Sequence, residues 1–271
     1  MERRIQFWLL MLACAALFAS CGPSHEERWQ QNFDAAVAAY KKSSFAEAES
    51  LFAAALQEAE HFSPSDPRLD TSLTKLASAY TALGRYDDAR VLYERVLKMR
   101  EETLGPDHVD VARTLFTMGI LYDWRSRFDK SEALYKRVLA IYEKTYGSND
   151  DNVYYCLKRL AGSYRQRGLH REAEELYRRA LAIRETRTRP NDEELVQDLI
   201  HLGESLVFQL KYDEAEPYYR RVVQLREQAL GPDDPLVAGA LENCASLLYT
   251  MGRTAEGDKL TARAQAIRNK Q

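Results

Sequence analysis

The chain writes nearly the same hexapeptide twice, TLGPDH at 103–108 and ALGPDD at 229–234, and the separation is three times 42 residues. The intermediate multiples carry related text. Gly105, Gly147 and Gly231 sit on one 42-residue grid, with Arg189 at the fourth point and Ser63 one period before Gly105. Three residues beyond these points stand Asp66, His108, Asp150, Asp192 and Asp234. A period of this size constrains the fold more than length does, because repeat arrays grow by stacking units that each bury a face against the next.

Residues 105–146 show the unit best. Two helical patterns flank a break near Ser126: Leu115, Gly119 and Tyr122 in the first, then Phe128, Leu134, Tyr135, Val138 and Leu139 in the second. Each unit thus reads as a helical hairpin, and its columns recur. The first helix carries a small residue at Ala77, Gly119, Ala161, Gly203 and Ala245. The second opens on Phe45, Tyr86, Phe128, His170 and Tyr212, and seven residues later carries Phe52, Tyr93, Tyr135, Tyr177 and Tyr219. Small beside large at fixed spacing lets packed helices interlock. Asp66-Pro67 and Asp234-Pro235 place an N-cap acceptor before a proline at the first helical position, while the grid glycines suit the left-handed residue that ends the preceding helix.

With phrases such as LYERVLKMREETLGPDHVDVARTL, the sequence resembles the tetratricopeptide repeat family, in the 42-residue variety typified by kinesin light chains. The resemblance implies an all-α fold, a right-handed superhelical solenoid of about six hairpins, with the first helices lining a concave face. A degenerate first repeat covers 31–62 and five units cover 64–268. The last unit replaces the opener by Thr254, the small residue by Gly257 and the ring by Thr261, as a polar terminal cap requires.

The first residues differ from all of this. Arg3 and Arg4 precede an uncharged apolar run from Ile5 to Phe18, then Ala19, Ser20 and Cys21, which reads as a secretory signal peptide over 1–20. Phe18-Ala19-Ser20-Cys21 resembles the bacterial lipobox, although the usual Leu is replaced by Phe18. The resemblance implies lipidation of Cys21, a short linker over 21–30, and a bacterial envelope location. Gly22, in place of the Asp that retains enteric lipoproteins at the inner membrane, favours the outer membrane facing the periplasm. Secretion with Cys21 as a free thiol is the alternative. Cys156 and Cys244 fall at non-equivalent positions two repeats apart and read as buried apolar residues.

A formal net charge of -3 and a pI near 6.0 give no basic surplus for nucleic acid. The five histidines, 25, 61, 108, 170 and 201, form no HExxH, and no two share a repeat at metal-ligand spacing. GxSxG, GxxxxGKS/T and GxGxxG are absent, so the expectation is a protein that is not an enzyme and has no cofactor or metal. His170 fills the aromatic-opener column and His108 an N-cap column, both structural places.

Binding is better supported, because a stack of hairpins exposes a surface free of packing duties. Columns carried over from the family place Arg113, Thr117, Trp124, Tyr155, Lys158, Arg159, Arg165, His201, Glu204, Phe208 and Asn243 toward the groove. The column where kinesin light chains favour Asn reads Lys75, Thr117, Arg159, His201 and Asn243. The middle of the groove is basic and aromatic, which suits an acidic peptide segment or a chain terminus of a partner protein. The alternative is that these cations are paired with acids the sequence does not place. The expected function is therefore a membrane-anchored interaction scaffold that binds a peptide of an envelope protein. The other reading is a structural subunit that self-associates or docks through its repeat ends.

Overall fold

The computed structural model of the chain describes residues 22–186 and 193–270. The signal peptide, Cys21, Arg189 and Asp192 lie outside the described residues. Twelve α-helices and no strand occur among those described. They are α1 (His25–Lys41), α2 (Phe45–Ala59), α3 (Pro67–Ala82), α4 (Tyr86–Leu104), α5 (Val109–Trp124) and α6 (Phe128–Tyr146), then α7 (Asp151–Gln166), α8 (His170–Glu185), α9 (Glu193–Phe208), α10 (Tyr212–Leu230), α11 (Pro235–Thr250) and α12 (Thr254–Arg268). Odd and even helices pair as six hairpins, and the chain forms two compact bodies, one up to Thr114 and one from Leu115 onward.

In the first body, α1 starts at His25 rather than after the linker assigned to 21–30. The cause is a capping box: Ser24 Oγ accepts from the Glu27 amide, and the Glu27 carboxylate accepts from the Ser24 amide. Alanines 36, 39, 48 and 79 let α1, α2 and α3 approach closely around Phe52, which meets the rings of Phe33 and Tyr40. Asp66 caps α3 before Pro67, its carboxylate accepting from the Arg68 amide at 2.9 Å. Arg100 grips Asp70 through two bonds of 2.7 and 2.6 Å and also donates to Thr114.

In the second body the small column meets the ring column inside one hairpin. A Cβ on Gly119 would stand 2.5 Å from the Tyr135 ring, and one on Gly203 would stand 3.0 Å from Tyr219. The last hairpin solves the same problem in reverse. Gly257 leaves room for Tyr249, whose hydroxyl reaches Asp258 and Thr261 at 3.0 Å, so the polar residues of the cap receive a ring donated by the first helix.

Gly105, Gly147 and Gly231 end their helices with φ of 88°, 83° and 89°, but their ψ values lie near 160°. They occupy the mirror-extended region that essentially only glycine tolerates, rather than the left-handed helical one. His108 caps α5 through a ring nitrogen, Nδ1 accepting from the Asp110 amide at 3.2 Å. Cys156 and Cys244 are buried and unbridged. Arg85–Glu49 and Arg95–Glu60 in the first body, and Arg167–Glu132, Arg179–Glu143, Arg221–Glu185 and Arg253–Glu216 in the second, tie successive even-numbered helices, or the turns that flank them, by ion pairs.

Candidate functional site

The second body carries a cleft of about 400 Å³ along α7. One turn of α7 after another supplies Tyr155, Lys158, Arg159, Gly162, Arg165 and Gln166, while Asp123, Phe128, Tyr177 and His201 come from α5, α6, α8 and α9. Gly162 keeps the middle of the α7 wall low.

The cations of this wall are not equivalent. Lys158 Nζ lies 2.7 Å from Oδ1 of Asp198, a residue only 1% exposed, and 3.0 Å from the Tyr154 hydroxyl, which itself donates to Asp198 at 2.7 Å. Burial pushes the Asp198 carboxyl up against the pull of Lys158, and burial together with the Asp198 contact pushes the Tyr154 phenol up. Arg165 pairs with Glu204 at 2.9 Å. Arg159, between them, is exposed and has no ion pair among the described residues.

Below Arg159, Asp123 accepts from the Tyr135 hydroxyl at 2.7 Å and from Ser163 at 3.1 Å, so its carboxylate is held by two donors. His201 is neutral: burial first, then the charges of Arg165 and Lys158, lower its imidazole to about 4. Its Nδ1 is buried without a hydrogen-bond partner among the described residues.

Of the groove residues read from the sequence, Tyr155, Lys158, Arg159, Arg165 and His201 line this cleft. Glu204 and Asn243 line a second cleft, of about 160 Å³, together with Ile200, Val207, Tyr219 and Ser246. Arg113 lies in the first body and pairs with Asp110 at 2.8 Å. Thr117 and Trp124 sit on α5 and do not line the cleft, while Phe208 lies flat against His170 with ring centroids 4.4 Å apart. The expectation of a broadly basic groove is therefore corrected. Acids on α9 neutralise two of its three α7 cations, and they do so from one repeat further along.

Asp198 was missed, although the sequence held a signal for it. Its column reads Ser72, Thr114, Cys156, Asp198 and Ala240, all buried and otherwise small and uncharged. A carboxylate in such a column needs a buried partner. The first body holds a further surprise, since His25, Glu58 and His61 converge there although the histidines belong to no common repeat motif.

A sequence profile described as tetratricopeptide repeat matches residues 124–186 and 198–270, and a second profile of the same description matches 71–110. The chain belongs to the tetratricopeptide repeat family. Tetratricopeptide repeats generally mediate protein–protein interaction, and no enzymatic family is indicated. Among solved structures, BtubC (BKLC) from P. vanneervenii is 26% identical with a TM-score of 0.62, covering 70% of this chain and 76% of its own. A putative kinesin light chain from Podosopora anserina, with nearly identical repeats, is 24% identical with a TM-score of 0.66 over 77% of this chain and 97% of its own. A signal-transduction ATPase with a tetratricopeptide repeat sensor from Pyrococcus horikoshii superimposes on 97% of this chain and 40% of its own, with a TM-score of 0.71 and 16% identity. No curated protein matches the sequence. Among the described residues, no helix is long and apolar enough to cross a membrane.

Proposed function

We propose that this chain is a lipid-anchored interaction scaffold of a bacterial envelope, whose second body holds a peptide segment of an envelope protein beside Arg159. One observation carries the reading of the cleft. Arg159 is exposed and without an ion pair among the described residues, whereas Lys158 and Arg165 on the same helix are both matched to acids of α9. The partner then offers one carboxylate, from an acidic side chain or a chain terminus, rather than a run of acids. A guanidinium grips a carboxylate through two parallel N–H bonds. Tyr155, 45% exposed, adds a ring face, and the neutral His201 adds a hydrogen-bonding nitrogen.

The anchor rests on the Phe18-Ala19-Ser20-Cys21 segment. A lipidated Cys21 with more than one acyl chain supplies the double hydrophobic attachment that stable membrane association needs. Gly22 directs the proposal to the outer membrane.

A photo-crosslinking residue at position 159, in the intact lipidated chain on its own cells, tests the scaffold. Capture of one foreign protein through an acidic or terminal segment is expected, and Arg159→Glu should abolish partner binding with helicity unchanged. Retained binding by that folded variant would refute the cleft. Cys21→Ser should move the protein to the soluble fraction, and an unchanged membrane fraction would refute the anchor.

A further inference from the structure

The first body holds a side-chain cluster that the repeat pattern leaves unexplained. Glu58 sits in the last turn of α2 and His61 lies two residues past its end, three positions away and on the same side of that turn. The hairpin brings the start of α1 alongside, and His25 is its first residue after the Ser24 cap. One nitrogen from each histidine and one carboxylate oxygen of Glu58 all lie within 4.8 Å of one another, and the imidazole centroids are 3.9 Å apart. Both histidines are exposed and Glu58 is half-buried, so the cluster opens to solvent.

Glu58 is the hub of the cluster, and Arg28 holds both of its oxygens, Nε to Oε1 at 2.8 Å and Nη2 to Oε2 at 3.1 Å. His25 Nδ1 stands 2.6 Å from Glu58 Oε2 and 2.9 Å from Arg28 Nη2. That nitrogen carries either a proton or a lone pair. With a proton it donates to Glu58 Oε2, the oxygen that Arg28 Nη2 also reaches. With a lone pair it accepts from Arg28 and opposes the carboxylate. A metal ion can take the place of that proton, bound by the lone pair and by Oε2, with Arg28 Nη2 then donating to Oε2 alone. Arg28 also donates to the Pro23 carbonyl, so the carboxylate it holds stays oriented.

We propose that His25, Glu58 and His61 bind one divalent transition-metal ion of the zinc class, through two imidazole nitrogens and one carboxylate oxygen, with the remaining coordination open to water or to a partner's ligand. Imidazole donors select such ions over calcium or magnesium. Ligands about 2.0–2.1 Å from a tetrahedral ion stand roughly 3.4 Å apart, so the set closes with side-chain shifts of about 1 Å. The ion would clamp the first turn of α1 to the end of α2 and hold the first described hairpin shut.

The full-length chain, stripped with a chelator, is titrated with ZnCl2 by calorimetry, and with Cu²⁺ as a spectroscopic probe. One ion per chain is expected, with a Cu²⁺ paramagnetic spectrum showing two coordinated nitrogens. His25→Ala and His61→Ala should each weaken binding on the order of tenfold or more and reduce the nitrogen count to one, and Glu58→Gln, nearly isosteric, should weaken it similarly. His108→Asn, which keeps a capping acceptor elsewhere in the chain, should bind as the unaltered protein does. Circular dichroism confirms that each variant stays folded. Binding no tighter than in the His25→Ala/His61→Ala double variant, or unaffected by any of the cluster substitutions, overturns the proposal.

Discussion

Two successive helix junctions in the second body use the same columns for opposite chemistry. Between α7 and α9, the buried Tyr154 and Asp198 and the partly exposed Lys158 form a polar triad. One period on, between α9 and α11, the equivalent positions hold Val196, Ile200 and Ala240, an apolar set. The clefts above them differ accordingly: the first is lined by Lys158, Arg159 and Arg165, the second by Ile200, Glu204 and Asn243 without a cation. The repeat fixes where side chains meet, and substitution within a column decides what they recognise.

The largest way to break this comparison is to unpair the triad. Lys158→Met leaves the Asp198 carboxylate buried without its cation, and the expected cost is about 3–5 kcal/mol of unfolding free energy in a denaturant titration. The triple variant Tyr154→Phe, Lys158→Met and Asp198→Leu, which makes the junction apolar like its neighbour, should recover most of that loss. If the single and triple variants are equally unstable, the triad is not an ion pair whose partners answer one another.

A smaller contrast separates the two glycine contacts. Gly119→Ala drives a Cβ against Tyr135, whose hydroxyl is fixed to Asp123 at 2.7 Å, so overpacking of about 1–3 kcal/mol is expected. Gly203→Ala meets Tyr219 at 3.0 Å, and that hydroxyl makes no hydrogen bond among the described residues, so the ring can yield. The gain of about 1 kcal/mol in helix propensity then roughly offsets the strain. Thermal unfolding should show a lowered midpoint for Gly119→Ala and nearly none for Gly203→Ala; equal losses would contradict the assignment.

The last contrast is in pH dependence. The unfolded chain binds a proton at His201 near pH 6.5 and the folded chain only near 4, so the unfolded state takes up protons first as pH falls. Stability should decline from about pH 6.5 toward 4.5, above the range where the lowered carboxylates of Glu132, Glu174 and Glu216 titrate. His201→Asn, which copies Asn243 of the next repeat, should flatten that decline. A slope unchanged in the variant would assign it to other groups.

The hairpins, their caps and the small-against-large columns were legible because each is a local matter. An N-cap and its amide lie two residues apart, as in Asp234 and Leu236, and an opener and its ring lie seven apart on one helix. Five of the eleven groove residues read by column line one cleft of the second body. The pairing of the cations was not legible, because Lys158 and Asp198, or Arg165 and Glu204, are about 40 residues apart and meet only once neighbouring hairpins stack.

By itself, then, the sequence determined the repeat, the helical hairpin and the column each side chain occupies, since backbone preference and period act within a few residues. Only the tertiary structure decided which charges answer one another, that Arg159 is the cation of the α7 wall left without an ion pair among the described residues, and that His25 reaches His61 across the first hairpin. Those outcomes depend on the lateral register of packed helices and on how far each side chain reaches, which no local pattern encodes.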